Sequence, residues 1–262
     1  MAETKYGVIR QAKPQFPVRE LLVVPHADGD LVVSYPAFGV DTYQRNILEM
    51  GGDYLHPETE ERISFRPATT SESISAAAYD FKNMAKPQIF DPKWLQAGYI
   101  LKTKEGVFVN PPKDVQGDTI ADEEMLKTML NGAAKVNGIY LVKNDVALRD
   151  FGFAPYETFR TGIQDCDTFA ESGLARLLEH TEEKIVRNFR KIASPKFYKK
   201  GVNVYGFDKV EEPHLRVVGL NSSGGFDGGR LNVDGDGLDD GWGGCAFGVL
   251  EETSEAGSPE KS

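Results

Sequence analysis

The chain has 262 residues, 40% of them hydrophobic and 27% charged, which supports one large mixed α and β core and excludes a disordered chain. Forty acidic against 30 basic residues leave a net charge of −10, which disfavours nucleic acid and anionic lipid as partners. No run of eighteen apolar residues occurs, and Met-Ala-Glu-Thr-Lys-Tyr at the start lacks a secretory signal's apolar core, so membrane insertion and export are not expected and the expected setting is cytoplasmic or virion-associated.

Apolar runs Leu21-Leu22-Val23-Val24 and Leu31-Val32-Val33 flank His26-Ala27-Asp28-Gly29-Asp30, and Asp-Gly between apolar runs predicts a β-hairpin over 19–37. Asp41 as cap, a stripe of Ile47, Leu48 and Met50, and the Gly51-Gly52 stop predict a short helix over 43–50. A second helix is predicted over 71–84, capped by Ser71 or Ser73 and ended by Pro87. Alternation through Tyr99-Ile100-Leu101 and Val107-Phe108-Val109 about Lys104-Glu105-Gly106 predicts a hairpin over 96–110.

Met125, Leu126, Met129 and Leu130 share one face of a helix predicted over 121–134, and 138–142 reads as a strand. Asp165 or Asp167 caps a longer helix predicted through Phe169, Leu174, Leu177 and Leu178 as far as Ile192. Its basic residues Lys184, Arg187, Arg190 and Lys191, with Lys196, Lys199 and Lys200 beyond, are diluted by Glu182 and Glu183 and read as a solvated face. From Gly201 on, 202–205, 215–218 and 245–250 read as short strands, and thirteen of the 27 glycines fall between Gly201 and Leu250, which places loops between them. Residues 251–262 read as a flexible tail. Cys166 and Cys245, widely separated, read as two buried thiols.

The segment 219–244 concentrates the functional signal. It consists mainly of Gly, Asp, Asn and Ser with Phe226 and Arg230, a composition closer to a paratope than to an active site. Unable to form a core of its own, it must be held by neighbouring strands. Asn232, Asp234, Asp236 and Asp240 match the opening of a calcium loop, while Gly243 stands where the bidentate Glu belongs, so calcium is an alternative reading.

The passages 218–227, 229–233 and 242–249 resemble the C-terminal variable region of diversity-generating retroelement variable proteins, found in archaeal and viral settings among others. The resemblance implies an α+β, C-type lectin-like fold of the formylglycine-generating-enzyme-like subtype, with antiparallel strands, two early helices and 111–200 as a helical insertion in a single domain over 1–250. It also implies that Asn codons are randomised to NNY codons, which cannot encode Lys, Glu, Gln, Met or Trp. Those five types make up about a fifth of the chain, yet none occurs from Gly219 to Gly241.

On this resemblance the varied, ligand-binding positions are Asn221, Ser222, Ser223, Phe226, Asp227, Arg230, Asn232, Asp234, Asp236, Leu238, Asp239 and Asp240. Leu220, Leu231, Val233 and Trp242 anchor the backbone, and each varied side chain points outward as strand alternation requires. The implied partner is a protein or glycan, with no cofactor. An enzyme of the formylglycine-generating-enzyme-like fold is a further alternative but not the expectation: His26, His56, His180 and His214 form no ligand pair, and the chain has neither a Gly-Lys-Ser/Thr phosphate loop nor a Gly-x-Ser-x-Gly elbow. Gly224-Gly225-x-x-Gly228-Gly229 also lacks the flanking strand and helix of a dinucleotide site.

Overall fold

The structure, a computed structural model, describes residues 16–27, 29–83, 87, 89, 94–112, 122–143, 145–194, 198–223, 229–238 and 243–251. The first part carries β1 (Glu20–His26), β2 (Gly29–Tyr35), β3 (Phe38–Asp41), α1 (Tyr43–Met50), β4 (Tyr54–Leu55), β5 (Arg62–Ile63), β6 (Phe65–Pro67), α2 (Thr70–Asn83), β7 (Trp94–Lys102) and β8 (Gly106–Val109). There follow α3 (Glu123–Met129), β9 (Ala134–Val136), β10 (Ile139–Leu141), β11 (Gly152–Pro155), β12 (Gly162–Gln164), α4 (Cys166–Ala170), α5 (Gly173–Leu178) and α6 (Arg187–Ile192). The last part is β13 (Val202–Tyr205), β14 (His214–Ser223), β15 (Arg230–Gly237), β16 (Gly244–Ala246) and β17 (Gly248–Leu250). The fold is α+β with mostly antiparallel strands. Among the described residues no helix is long and apolar enough to cross a membrane.

The first hairpin closes as its sequence predicts, in a register from Glu20 opposite Tyr35 to His26 opposite Gly29. In a four-stranded sheet ordered β1-β2-β17-β6, Val249 lies between Val33 and Arg66, so an early and a late strand pair directly. The apolar run 245–250, expected as one strand, is split at Phe247. Its first half, β16, joins the large sheet beside β3 and β7, and its second half, β17, joins the small one. The run thereby ties the two sheets together.

Helix starts follow from local hydrogen bonds that the sequence reading assigned to neighbouring residues. Thr42, not Asp41, caps α1, its Oγ1 accepting the Arg45 amide at 3.3 Å. Ser71 and Ser73 lie inside α2 and are buried; the start is a capping box in which Thr69 Oγ1 accepts the Glu72 amide and the Glu72 carboxylate accepts the Thr69 amide. Burial alone would raise the Glu72 pKa, but the two-point pairing with Arg66 at 2.6 and 2.7 Å holds it below the usual carboxylate value.

The helix expected from 165 to 192 is three helices. Asp165 does cap the first, accepting the Thr168 amide at 2.8 Å, but Ser172 caps a new one and breaks the run. Glu179 then reaches the start of α6, accepting the Asn188 and Phe189 amides at 3.1 and 2.6 Å. The α3 helix stops at Met129, short of the expected 134, and among its stripe only Leu126 is fully buried, because Ala134 already begins β9. On α6, Arg187 pairs with Glu183 and Arg190 with Asp167, which makes that basic face a set of local ion pairs.

The large sheet runs β12-β13-β15-β14-β7-β8-β11-β10-β9. Both outer edges of that order come from 111–200, so the stretch expected as an insertion is woven into the sheet. One face of its centre, with Leu95, Val202, Val204, Leu220, Leu231 and Val233, packs in the same core as α2 and α4–α6, and both Cys166 and Cys245 are buried there as thiols, not joined in a disulfide. On the other face a smaller core of Phe38, Tyr43, Met50, Phe65 and Val217 lies under α1. The β13-β15-β14 end of that second face is where the candidate site opens.

Candidate functional site

Most of the glycine- and aspartate-rich segment that is described forms strand, with a bulge where the β14–β15 register shifts between Val217 and Gly219. β15 is central, parallel to β13 and antiparallel to β14, and its burial alternates through Leu231 and Val233 inward and Asn232 outward. Leu220, Leu231 and Val233 are fully buried, as anchors should be. Trp242 lies outside the described residues, as do Phe226, Asp227, Asp239 and Asp240, and of Ser223 only the backbone is described.

Three asparagines sit side by side on the outward face. Asn232 is in register with both Asn203 and Asn221; its Oδ1 accepts from Asn203 Nδ2 at 3.3 Å and its Nδ2 donates to Asn221 Oδ1 at 2.7 Å. This amide ladder crosses three strands. Ser222 is a correction: one residue on from Asn221, it turns to the core side, where its Oγ is buried and faces the Tyr198 hydroxyl.

Beside the ladder is a cavity of about 400 Å³ lined by Trp94, Gln96, Tyr205, Val217, Gly219, Asp234, Asp236, Gly237 and Leu238. Two glycines shape it, Gly219 in its wall and Gly206 behind Asp236. A Cβ on Gly219 would lie 3.1 Å from Trp94 Cε3, so the bare backbone lets the indole lie over the strand. Gly206 has φ +73°, and a Cβ there would come within 2.6 Å of the Asp236 amide nitrogen.

The polar groups differ in how free they are. Gln96 is engaged at both ends, accepting from Asn46 at 2.7 Å and donating to the Asp41 carbonyl at 3.3 Å. Asp236 pairs with the buried Lys102 ammonium, which also donates to the Gly206 carbonyl at 2.8 Å. Asp234 is 9% exposed, so it is a floor residue and not the outward projection expected. Its Oδ1 accepts the Asp236 amide at 2.8 Å, burial raises its pKa, and Tyr205 hydrogen bonds to it. Leu238, at 45% exposed, forms an apolar rim, and Arg230 is half-buried at the start of the strand.

Asn232, Asp234 and Asp236 lie along one extended strand, where alternate residues are about 6.8 Å apart. The ligands of one calcium ion converge to about 2.4 Å from it, and Asp236 is already committed to Lys102. Among the described residues no group of three His, Cys, Asp or Glu side chains converges as a metal site. The calcium-loop reading of these three residues is therefore replaced by a strand face; Asp240 lies outside the described residues.

A second cavity, of about 340 Å³, opens between the β1–β2 turn, α2 and α6. In it Ser75 Oγ lies 2.9 Å from His26 Nδ1 and accepts from Asn188 Nδ2 at 3.1 Å. Asp150 accepts from Thr69 and Ser71. Burial pushes the Glu179 carboxyl up to about 7 despite its two amide partners. His180 Nε2 donates to the Val142 carbonyl at 2.8 Å, and burial lowers its pKa.

Trp94, Gln96, Lys102 and Tyr205 were not singled out in the sequence. A faint signal exists: Val-Asn-Val-Tyr at 202–205 alternates, and Gln96 and Lys102 interrupt an otherwise apolar strand. No family model matches the chain, and no curated protein or solved structure matches it.

Proposed function

We propose that this chain is a ligand-binding protein that presents an alterable side-chain surface on a fixed framework. The observation that carries the reading is the sidedness of the 219–238 strands: Asn221, Asn232, Asp234 and Asp236 share one sheet face, on which Asp234 and Asp236 line a cavity, while Leu220, Leu231 and Val233 are buried on the other. Such a face lets outward positions such as Arg230 and Leu238 change while core packing stays intact.

More particularly, the chain acts as a variable protein of a diversity-generating retroelement on a C-type lectin-like scaffold. In support stand the direct pairing of β2 with β17, the two helices early in the chain, and the lack of NNY-forbidden residue types from Gly219 to Gly241. Changing Arg230 and Leu238 together is expected to alter the ligands reported by a peptide and glycan array while moving Tm by less than about 2 °C. An unchanged array pattern would overturn the reading. The coding DNA supplies a second test: a near-repeat of the segment should lie nearby, with adenines wherever the two copies differ.

A further inference from the structure

We infer that the cavity on the sheet face takes a cation borne on an apolar stem, the chemistry of an arginine or lysine side chain on a protein partner. The inference rests on the proposed binding role of that face. Three features of the wall lead to it.

The first is the balance of donors and acceptors. Both ends of the Gln96 amide are engaged with Asn46 and Asp41, the Lys102 ammonium is turned to Asp236 and the Gly206 carbonyl, and Tyr205 is hydrogen-bonded to Asp234. Most of what stays open belongs to carboxylates, since each can accept about four hydrogen bonds where a primary amide oxygen accepts about two. Asp234 takes the Asp236 amide and Tyr205, and the half-exposed Asp236 side chain takes Lys102. An ammonium or guanidinium only donates and so matches these positions with every group it brings, whereas a sugar hydroxyl that donates here also brings lone pairs for which the wall has few donors.

The second is the apolar remainder. Trp94, Val217, Gly219, Gly237 and Leu238 line the rest of the cavity, a lining suited to methylene groups, and the Trp94 and Tyr205 rings attract a cation through their negative faces. The third is the field. A protein of net charge −10 draws basic partners toward it and slows acidic ones. Burial leaves Asp234 with a raised pKa, so an incoming cation stabilises the ionised carboxylate, and affinity should fall as the pH drops through that raised value.

The test uses the full chain and three probes at up to millimolar concentration: a Gly/Ser heptapeptide with a central Arg, the same peptide with citrulline, and a neutral oligosaccharide. Binding is read from the Trp94 indole resonance. The Arg peptide should bind at least about tenfold more tightly than its citrulline counterpart, and Asp234→Asn should remove that preference. Should D234N fail to fold, Tyr205→Leu, which deletes one ring, should weaken the Arg peptide several-fold. Equal binding of the two peptides, or tighter binding of the sugar, overturns the cation assignment and leaves the binding face standing. No shift with any probe overturns both.

Discussion

The sheet-face cavity and the α2–α6 cleft are similar in size, about 400 and 340 Å³, yet their polar groups do different work. In the cleft Ser75, Asp150, Glu179 and Asn188 bond to one another's elements, joining the β1–β2 turn, α2 and α6. On the sheet face Asp234 and Asp236 keep acceptor positions beside an apolar and aromatic wall. The contrast teaches that density of ionisable groups alone does not mark a recognition site. Groups that tie elements of the fold to one another are cohesion, and acceptor capacity beside apolar surface is what a partner can use.

Breaking the sheet-face side most severely calls for Gly206→Ala. Left-handed strain and a Cβ 2.6 Å from the Asp236 amide nitrogen should together cost about 4 kcal/mol in chemical unfolding and abolish ligand binding.

In the cleft, Glu179→Gln sharpens the contrast through pH. Burial pushes the folded carboxyl up to about 7 from its ordinary 4.5, so the native state holds a proton that the unfolded chain releases first. Its contribution is intact below about pH 4.5 and declines as the pH rises toward 7. Wild type should therefore lose up to about 3 kcal/mol relative to E179Q across that window, seen in paired denaturation curves, with no change in binding at the sheet face.

Asp236→Ala should cost about 2 kcal/mol, since the buried Lys102 ammonium keeps only the Gly206 carbonyl. Adding Lys102→Met should recover most of that loss. Ser75→Ala, the mildest, should cost about 1 kcal/mol and leave the array pattern unchanged; a change in ligand specificity from this substitution would reverse the roles assigned to the two cavities.

Much of the framework could be read from periodicity and turn chemistry. Asp-Gly between Val-rich runs marked the first hairpin, and Gly51-Gly52 marked the end of α1. The helices over 165–192 were misjoined because apolar spacing continues across Ser172, whose side chain starts a new helix. The strand β15 was hidden by composition: glycine and aspartate disfavour strands on their own, and pairing on both sides with β13 and β14 is what holds Arg230–Gly237 extended. The candidate site was half legible. Its 219–238 side announced itself, but Trp94 and Tyr205 reach the cavity through sheet order, which a local pattern does not encode.

The row of amides across β13, β15 and β14 has a consequence for how the face can evolve. Asn232 satisfies two neighbours at once, so replacing it strands Asn203 and Asn221 together, whereas replacing Asn221 alone disturbs a single bond. Under the diversification proposed above, Asn221 and Asn232 would not drift independently. Copies that abandon asparagine at the middle rung should be selected in company with a matching change at 221, and the count of usable surfaces is smaller than the number of randomised codons implies.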